Sequence, residues 1–306
     1  MIHVFSPNTA HEVILGVPRL SAGRVHRATD GHRRVGGKGV NVARACGRMG
    51  VRIRLVAIAD ALGADELAHE PDLDGCAVDV VPQPGRARTD VIVAEEGGRA
   101  TVVNGISDPI PPGLAERAAD RLLAAITAGD LVVLAGSLPR GAPTDLYSGI
   151  VSGSRARGAR TIVDASGSWL RAALEAEPSV CKVNARELAD ALGRDVRECW
   201  RSGGALVPAA SALILSRAAA GARVWSEGRR CTVRVPSQVV VSGVGAGDAM
   251  TAGIAAALME GATLVEAAAR GAAWGAAAVR ELDLTLHPAT AHAITRQVRV
   301  VGCGHG

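Results

Sequence analysis

Short apolar runs alternate with helix-like segments through the second half of the chain, from about residue 130. The runs are LVVLAG, TIVDAS, SVCKVN and ALILSR, and the amphipathic segment ARELADALG lies between the last two. Short buried strands that alternate with helices predict βαβ units and a mostly parallel sheet. In such sheets ligands bind beyond the carboxyl ends of the strands. The polar residues near the ends of these runs are therefore candidate ligand contacts: Ser137, Asp164, Asn184 and Ser216.

The composition fits one large α/β domain or two smaller ones. A chain of 306 residues with 48% hydrophobic content can bury a full core. The net charge of +4 is small and no block of like charges stands out, so we expect no nucleic-acid partner. The longest apolar stretches are interrupted by glycine and by Glu260, and the N-terminal residues lack the pattern of a signal peptide. We therefore expect a cytoplasmic protein with no membrane partner.

The cysteines give no sign of a metal site or a disulfide framework. None of the six forms a CxxC pair or has a histidine at zinc-finger spacing. The pattern favours reduced thiols, as in a cytoplasmic protein, over disulfides or zinc. They are Cys46, Cys76, Cys181, Cys199, Cys231 and Cys303.

Two early segments predict a small antiparallel sheet that lies apart from the main one. Residues 10–35 alternate polar and apolar side chains, and residues 90–104, DVIVAEEGGRATVVN, are typical of a hairpin around a Gly-Gly turn. Such a sheet is suited to cover a site or to pair with a second subunit. No linker-like tract divides the chain. We therefore expect a single domain over residues 1–306, with lid segments at about 10–35 and 88–106 inserted in it.

The stretch GVGAGD, residues 243–248, lies where a strand-like segment meets a helix-like one. The first amides of a helix lack intrahelical partners and carry partial positive charge, and small residues let a ligand approach them closely. This pattern predicts an anion site, with Asp248 as a base that accepts a proton from an attacking alcohol. One alternative is a structural helix start capped by Asp248. Another is a dinucleotide site, with Glu266 as its acid.

Lysine is rare in this chain, and both lysines lie beside polar turns. Of the 34 lysine and arginine residues, only two are lysines, Lys38 and Lys182. Lys38 lies in GGKGVNVARACGRMG, a second glycine-rich turn that enters a helix, and Lys182 lies in KVNARE, at the end of a strand. These positions favour a binding role for each lysine over a chance placement.

Taken in order, these motifs resemble the ribokinase-like (PfkB) carbohydrate kinases, and most closely the branch of 1-phosphofructokinase and tagatose-6-phosphate kinase. The resemblance extends over nearly the whole chain. It implies a ribokinase-like three-layer α/β fold with a mostly parallel central sheet and a small antiparallel β lid. The matching segments are SPNTAHEV, GGKGVNVARACGRMG, RTDVIV, LAGSLPRG, VDASGSWLRAAL, KVNARELA, SRAAAGA and GVGAGDAMTAG.

The resemblance implies a reaction, its cofactors and the partners of the protein. The reaction is ATP-dependent phosphorylation of a hydroxyl on a phosphorylated ketose, with ATP and Mg²⁺ as cofactors. The implied partners are a sugar phosphate, ATP and a second copy of the chain, which would form a homodimer through the β lid. Two alternatives stay open: a kinase of an unphosphorylated sugar, nucleoside or other small alcohol, and a catalytically impaired member that binds sugar phosphate.

The resemblance also implies individual residue roles. Asp248 is the catalytic base, with the anion hole formed by the amides of Gly245, Ala246 and Gly247. Glu187 acts near the metal indirectly, through water. The implied substrate contacts are Glu12, Gly37, Lys38, Asn41, Arg88, Arg27 or Arg24, and Ser137. The implied nucleotide contacts are Lys182, Asn184, Glu187, Ser216 and Gly221.

The sequence departs from the family pattern at several of these positions. Glu12 stands where the family has an aspartate that contacts sugar hydroxyls, and Asp90 replaces an asparagine. Ala218 replaces a glycine beside the nucleotide, KVN replaces KPN, and a Gly-Thr-Gly is absent from residues 279–288. The longer side chain of Glu12 predicts an acceptor that differs from fructose 1-phosphate in hydroxyl stereochemistry or chain length.

Overall fold

The computed structural model describes residues 1–208, 211–282 and 285–305, which form two sheets and ten α-helices. The strands are β1 (Ile2–Ser6), β2 (Ala10–Val17), β3 (Asp30–Gly36), β4 (Ile53–Ala59), β5 (Ala77–Pro82), β6 (Arg88–Glu95), β7 (Ala100–Val103), β8 (Leu131–Ala135), β9 (Arg160–Asp164), β10 (Val180–Asn184), β11 (Ala212–Ser216), β12 (Ala222–Ser226), β13 (Arg229–Arg234) and β14 (Arg299–His305).

The helices connect these strands and cover both faces of the larger sheet. They are α1 (Lys38–Arg48), α2 (Ala61–Ala68), α3 (Leu114–Ala124), α4 (Leu146–Ala156), α5 (Gly167–Glu175), α6 (Ala185–Leu192), α7 (Val196–Ser202), α8 (Ala246–Met259), α9 (Leu264–Ala278) and α10 (Pro288–Thr295). Among the described residues, no helix has the length and apolar character that a membrane crossing requires.

The larger sheet has ten strands in the order β14-β13-β12-β11-β10-β9-β8-β1-β4-β5. The seven strands from β11 to β5 are parallel to their neighbours, and β12, β13 and β14 add an antiparallel edge. This arrangement confirms the predicted α/β fold with a mostly parallel sheet. The carboxyl ends of the parallel strands all lie at one edge, so the turns that follow them can build a common site.

Two hydrophobic cores explain why the parallel strands read as continuous apolar runs. On β8, Leu131, Val133 and Ala135 face one core, while Val132 and Leu134 face the other. Side chains alternate between the two faces of a strand, so a strand covered by helices on both sides needs apolar residues at every position. Helices therefore lie above and below the sheet in three layers.

Helices α8 and α9 approach each other closely because glycines line their contact. A Cβ added to Gly253 would lie 2.8 Å from Gly271 Cα, which is closer than packed atoms normally come. Residues 248–258 of α8 are all buried. Burial around the whole helix explains why its sequence shows no polar face, and it fixes the helix end that carries Asp248.

The smaller sheet has the order β3-β2-β6-β7, and its four strands lie within the two segments predicted to form a lid. The outer pairs are antiparallel, whereas the central pair of β2 and β6 is parallel, with Glu12 opposite Asp90. The two central strands come from separate lid segments. Because a long stretch of chain, from β3 to β5, connects them, they can run in the same direction. They carry Glu12 and Arg88 on one continuous sheet.

Asp60 ties both central lid strands to the larger sheet. Its carboxylate accepts hydrogen bonds from the Gly63 amide at 2.9 Å, which caps α2, and from the Ala87 amide at 2.8 Å, just before β6. It also lies 3.0 Å from His11 Nε2 on β2. Burial by itself would raise the pKa of Asp60, but the two amides and His11 outweigh burial and hold the pKa below its ordinary value. Asp60 is thus an ionised anchor at the base of the lid.

The structure corrects the prediction that all six cysteines are reduced. Cys231 on β13 and Cys303 on β14 form a disulfide across 72 residues of sequence. The two strands are antiparallel neighbours at the edge of the sheet, and this pairing brings together thiols whose spacing gives no hint of a bond. The other four are free thiols: Cys46, Cys76, Cys181 and Cys199.

Candidate active site

A cavity of about 1090 Å³ lies between the carboxyl edge of the larger sheet and the lid. Pockets that hold one drug-sized ligand have volumes of roughly 300–1000 Å³, so this cavity lies just above the upper end of that range. The sequence-predicted residues that line it are Glu12, Gly37, Lys38, Asn41, Arg88, Ser137, Lys182, Asn184, Glu187, Ser216, Gly221, Gly245, Ala246, Gly247 and Asp248. Arg27 and Arg24 do not line it; they lie in the exposed segment 21–30, between β2 and β3.

The residues predicted to form an anion hole lie at the N-terminus of α8. Gly245 precedes the helix with φ of 79°, in the left-handed region that favours glycine, and turns the chain so that α8 begins at Ala246. The amides of Ala246 and Gly247 belong to the first turn, where backbone N–H groups have no intrahelical acceptor. A Cβ on Gly247 would lie 3.2 Å from Lys182 Nζ, so a small residue is needed there.

Asp248 is buried in the first turn of α8, with 6% of its surface exposed. Burial raises the pKa of Asp248 to about 7, against the opposing effect of the Lys38 ammonium group. Asn41 donates a hydrogen bond from Nδ2 to Asp248 Oδ2 at 3.1 Å and orients the carboxylate. A carboxylate whose pKa lies near neutrality can both accept and release a proton at physiological pH, as a general base must.

Asp164, at the end of β9, holds both lysines of the chain. Its Oδ1 accepts a hydrogen bond from Lys38 Nζ at 3.1 Å, and its Oδ2 accepts one from Lys182 Nζ at 2.7 Å and one from the Thr251 hydroxyl at 2.7 Å. Burial by itself would raise the pKa of Asp164, but the Lys182 and Lys38 ammonium groups outweigh it and hold the pKa well below its usual range. The carboxylate is therefore ionised and fully paired.

Lys182 contacts the backbone of the predicted anion hole. Besides Asp164, it donates to the Gly247 carbonyl at 3.0 Å, and its side chain is buried. Sequence reasoning selected Asp164 only as a polar residue at a strand end, and it missed Thr251. The combination of a buried acid at a strand end with two lone lysines is the signal that could have identified the cluster.

Glu12 is buried on β2, where protein groups engage both of its carboxylate oxygens. Oε2 accepts a hydrogen bond from Arg34 Nε at 3.0 Å, and Oε1 accepts from the Gly37 amide at 3.2 Å and from Asn41 Nδ2 at 3.3 Å. Burial by itself would raise the pKa of Glu12, but the Arg34 guanidinium, the Gly37 amide and the charge of Arg44 outweigh burial and hold the pKa below its ordinary value. A Cβ on Gly36 would overlap the Glu12 carboxyl group, so Gly36 makes room for the longer acid.

Arg88 lies at the start of β6, and its guanidinium faces the cavity wall. Its Nε is 3.2 Å from Asp90 Oδ2, and Asp90 also accepts the Gly105 amide at 3.0 Å. Burial raises the pKa of Asp90 even though Arg88 is adjacent. Arg88 is thus held by Asp90 through Nε, and it lines the cavity.

The turns after β10 and β11 form the other end of the cavity. Asn184 caps α6 in a capping box: it accepts the Glu187 amide at 2.9 Å, and Glu187 Oε2 accepts the Asn184 amide at 2.9 Å. The second oxygen of Glu187 lies 3.4 Å from Lys38 Nζ. On the next turn, Ser216 donates to the Val183 carbonyl at 3.4 Å.

Ala218 has φ of +42°, in the left-handed region that favours glycine. This residue stands where the sequence departs from the family's glycine, and it takes a conformation that glycine would adopt with less strain. Gly221 completes the turn with φ of 86°, and a Cβ there would overlap the Val233 carbonyl. The turn is therefore strained at Ala218 and unstrained at Gly221.

Comparison with known proteins assigns the family. Residues 8–290 match the pfkB family carbohydrate kinase pattern, and the chain belongs to this family. It is 34% identical over 284 residues to 1-phosphofructokinase from Xanthomonas campestris pv. campestris, which covers 86% of each chain. It is 31% identical over 301 residues to 1-phosphofructokinase from Rhodobacter capsulatus, over 94% of this chain and 93% of that protein. Among solved structures, it resembles the tetrameric inhibited form of phosphofructokinase-2 from Escherichia coli, with a TM-score of 0.84 and 25% identity over 97% of this chain and 98% of that one.

The carboxylate of Asp248 generates a prediction about pH. A base must be ionised to act, and the pKa of Asp248 is about 7, so kcat/KM for phosphoryl transfer should rise with pH up to about 7 and then level off. Asp248→Asn should keep the fold and lower kcat by about 10²–10⁴-fold. Initial-rate kinase assays between pH 5.5 and 9 measure both effects.

Asn41→Ala supplies the control, because it removes a hydrogen bond that favours the charged form of Asp248. The acidic limb of the profile should move to higher pH in this variant. A limb that stays in place belongs to a substrate phosphate and not to Asp248.

The strained turn generates a second prediction. Ala218→Gly relieves a left-handed alanine and should raise the free energy of unfolding by up to about 1 kcal/mol, since the relief exceeds the added entropy of the unfolded chain. Ala219→Gly is the matched control: its φ is not positive, and it should lose about 0.5–1 kcal/mol. Urea unfolding measures both, and equal losses in the two variants would show that Ala218 is not strained.

Proposed function

We propose that the protein transfers the γ-phosphoryl group of ATP to a hydroxyl of a phosphorylated ketose, as a 1-phosphofructokinase-like enzyme. The observation that carries the proposal is that a buried carboxylate at a helix N-terminus, Asp248, shares one cavity with the lid arginine Arg88. The carboxylate and the helix N-terminus suit phosphoryl transfer, and the arginine suits a second phosphate on the acceptor. The names of the two 1-phosphofructokinase relatives support the same substrate class.

The chemistry follows from the groups around Asp248. The acceptor hydroxyl oxygen attacks the γ-phosphorus, the bond from that phosphorus to the β–γ bridging oxygen breaks, and ADP leaves. The hydroxyl proton passes to the ionised Asp248 carboxylate. Negative charge on the transferred group is stabilised by the amides of Ala246 and Gly247, and Lys38 adds a positive charge that Asp164 keeps in place.

The nucleotide occupies the end of the cavity formed by the turns after β10 and β11. Ser216 and Gly221 border it, and Asn184 and Glu187 lie where its phosphates would meet the anion hole. Lys182 donates hydrogen bonds to Asp164 and to the Gly247 carbonyl. It thereby holds in place the backbone that contacts the γ-phosphate.

Magnesium fits this site as an ion that the nucleotide brings with it. Among the described residues, no group of three or more His, Cys, Asp or Glu side chains could hold a metal ion. Mg²⁺ in kinases keeps several waters and is bound by one or two carboxylates together with substrate phosphates. Glu187 has one oxygen in its capping box and a second near Lys38, which suits contact through water. When bound, the ion neutralises charge on the phosphates.

The lid is the surface through which we propose that two copies of the chain pair. Apolar residues that are largely exposed lie on it and just beyond it, at Val25, Val103 and Ile106. A cytoplasmic homodimer would cover these side chains. Arg27 lies outside the cavity of its own subunit and belongs to the same exposed part of the lid. Light scattering of the purified protein tests the pairing, and a monomer at micromolar concentration would contradict it.

The role of Arg88 generates a third prediction. If it binds the phosphate of the acceptor, Arg88→Ala should weaken binding of phosphorylated sugars by about 1.5–3 kcal/mol, as for a charge-assisted hydrogen bond, while the KM for ATP changes little. Arg86→Ala is a matched control, because Arg86 is two residues away, 89% exposed and outside the cavity. Equal losses for phosphorylated and unphosphorylated acceptors would favour a kinase of unphosphorylated sugars.

The identity of Glu12 generates a fourth prediction. Aspartate would withdraw the carboxylate by about one bond length, roughly 1.5 Å, and displacements near 1 Å can change rates by about 10²-fold. We expect the protein to prefer a ketose phosphate that differs from fructose 1-phosphate in stereochemistry or chain length, and Glu12→Asp to shift the preference toward fructose 1-phosphate. The measurement is kcat/KM over fructose 1-phosphate, tagatose 6-phosphate, fructose 6-phosphate and ketopentose phosphates.

The same panel tests the function itself. ATP consumption with none of these acceptors would contradict the proposed activity. Fructose 1-phosphate ranking first for both the parent and Glu12→Asp would contradict only the role given to Glu12.

A further inference from the structure

The tip of the lid touches the segment that leads into the anion hole. The turn between β6 and β7 contains Gly97 and Gly98, both with positive φ, at 95° and 84°. A Cβ added to Gly98 would lie 2.8 Å from Val240 Cγ1 and would overlap the Val240 carbonyl oxygen, whereas a Cβ on Gly97 would meet nothing within 4 Å. Gly98 is therefore packed directly against Val240, and only a glycine fits there.

Val240 belongs to the segment between β13 and α8, residues 235–245, which serves the nucleotide end of the cavity. Val235, Pro236, Gln238 and Val240 line the cavity, and the chain then continues into the anion hole. The segment is fixed to the end of α9 by hydrogen bonds from the amides of Val241 and Ser242 to the Val279 carbonyl, at 2.7 and 3.1 Å. Val240 thus lies on the same short segment as the residues proposed to contact the phosphates, three residues before Gly243.

On the other side of the contact, Gly98 belongs to the sheet that contacts the acceptor. Strand β6 runs from Arg88 directly to the turn, and it pairs along its whole length with β2, which carries Glu12. Hydrogen-bonded strands move together, so the position of the turn and the position of Arg88 are set jointly. Gly98, on the sheet that carries Arg88 and Glu12, and Val240, on the segment before the anion hole, both line the cavity and contact each other.

We propose that the contact between Gly98 and Val240 couples the two substrate sites, so that each substrate binds more tightly when the other is present. The inference rests on the proposed function. A sugar phosphate that engages Arg88 stabilises the lid in contact with Val240, and a nucleotide that orders residues 235–245 presents Val240 to the lid. Because both ligands stabilise the same contact, the effect of each on the other must be equal.

Gly98→Ala and Gly97→Ala form a matched pair for the test. Both place alanine at positive φ in the same turn, but only Gly98→Ala pushes the lid away from Val240. Val240→Ala introduces no backbone strain and removes the Cγ atoms from the contact, while the backbone and Cβ that also face Gly98 stay in place. Val239→Ala is its control, because Val239 is 77% exposed and outside the cavity. Thermal unfolding shows that each variant is folded.

The measurement is the Kd of a non-hydrolysable ATP analogue with Mg²⁺, by calorimetry, without and with a saturating concentration of the ketose phosphate that gives the highest kcat/KM in the panel above. In the parent, Gly97→Ala and Val239→Ala we expect the sugar phosphate to lower this Kd by about 5–150-fold. In Gly98→Ala and Val240→Ala the ratio should approach one. Coupling that survives in both variants, or two ligands that bind the parent independently, would overturn the inference and leave the proposed function intact. A parent that binds neither ligand would overturn both.

Discussion

The buried ion cluster at Asp164 is the interaction on which the site depends. Removing charges from water is costly unless each one is paired and hydrogen-bonded, and Asp164 meets both conditions through Lys38, Lys182 and Thr251. Removing either lysine would leave the buried Asp164 carboxylate with one cation in place of two, and removing the Thr251 hydroxyl would take away one of its hydrogen bonds. The cluster also connects elements that are distant in sequence, because β9, the start of α1 and the start of α8 meet at this carboxylate.

A chain of polar contacts extends from this cluster to the lid. Lys38 lies between Asp164 and Glu187, and Asn41, one turn further along α1, donates to both Asp248 and Glu12. The proposed base and the acid on the lid therefore share a single amide. Asn41 gives a physical route by which the position of the lid can influence the carboxylate of Asp248, whose pKa is already raised by burial.

Small residues let these charged groups approach the backbone. Gly36 leaves space for Glu12, Gly247 leaves space for Lys182, and Gly253 lets α8 lie against α9. In each case a side chain would displace a group that the site needs. The glycine-rich stretches of the sequence are thus explained by close approach as well as by turns, and at one turn Ala218 takes a positive φ without being a glycine.

Local patterns in the sequence predicted much of this protein. The apolar runs predicted the parallel sheet because both of its faces are buried, and their ends located Ser216. The glycine-rich turns located Gly37 and Asp248, because each stands where a strand gives way to a helix. Contacts across the sheet depend on strand order and were decided by the tertiary structure alone. Lys38 meets Asp164 across 126 residues and Cys231 meets Cys303 across 72, and Arg27 stays outside the cavity because its loop is exposed. No local pattern encodes these pairings, since they arise only when separate segments pack on a common core.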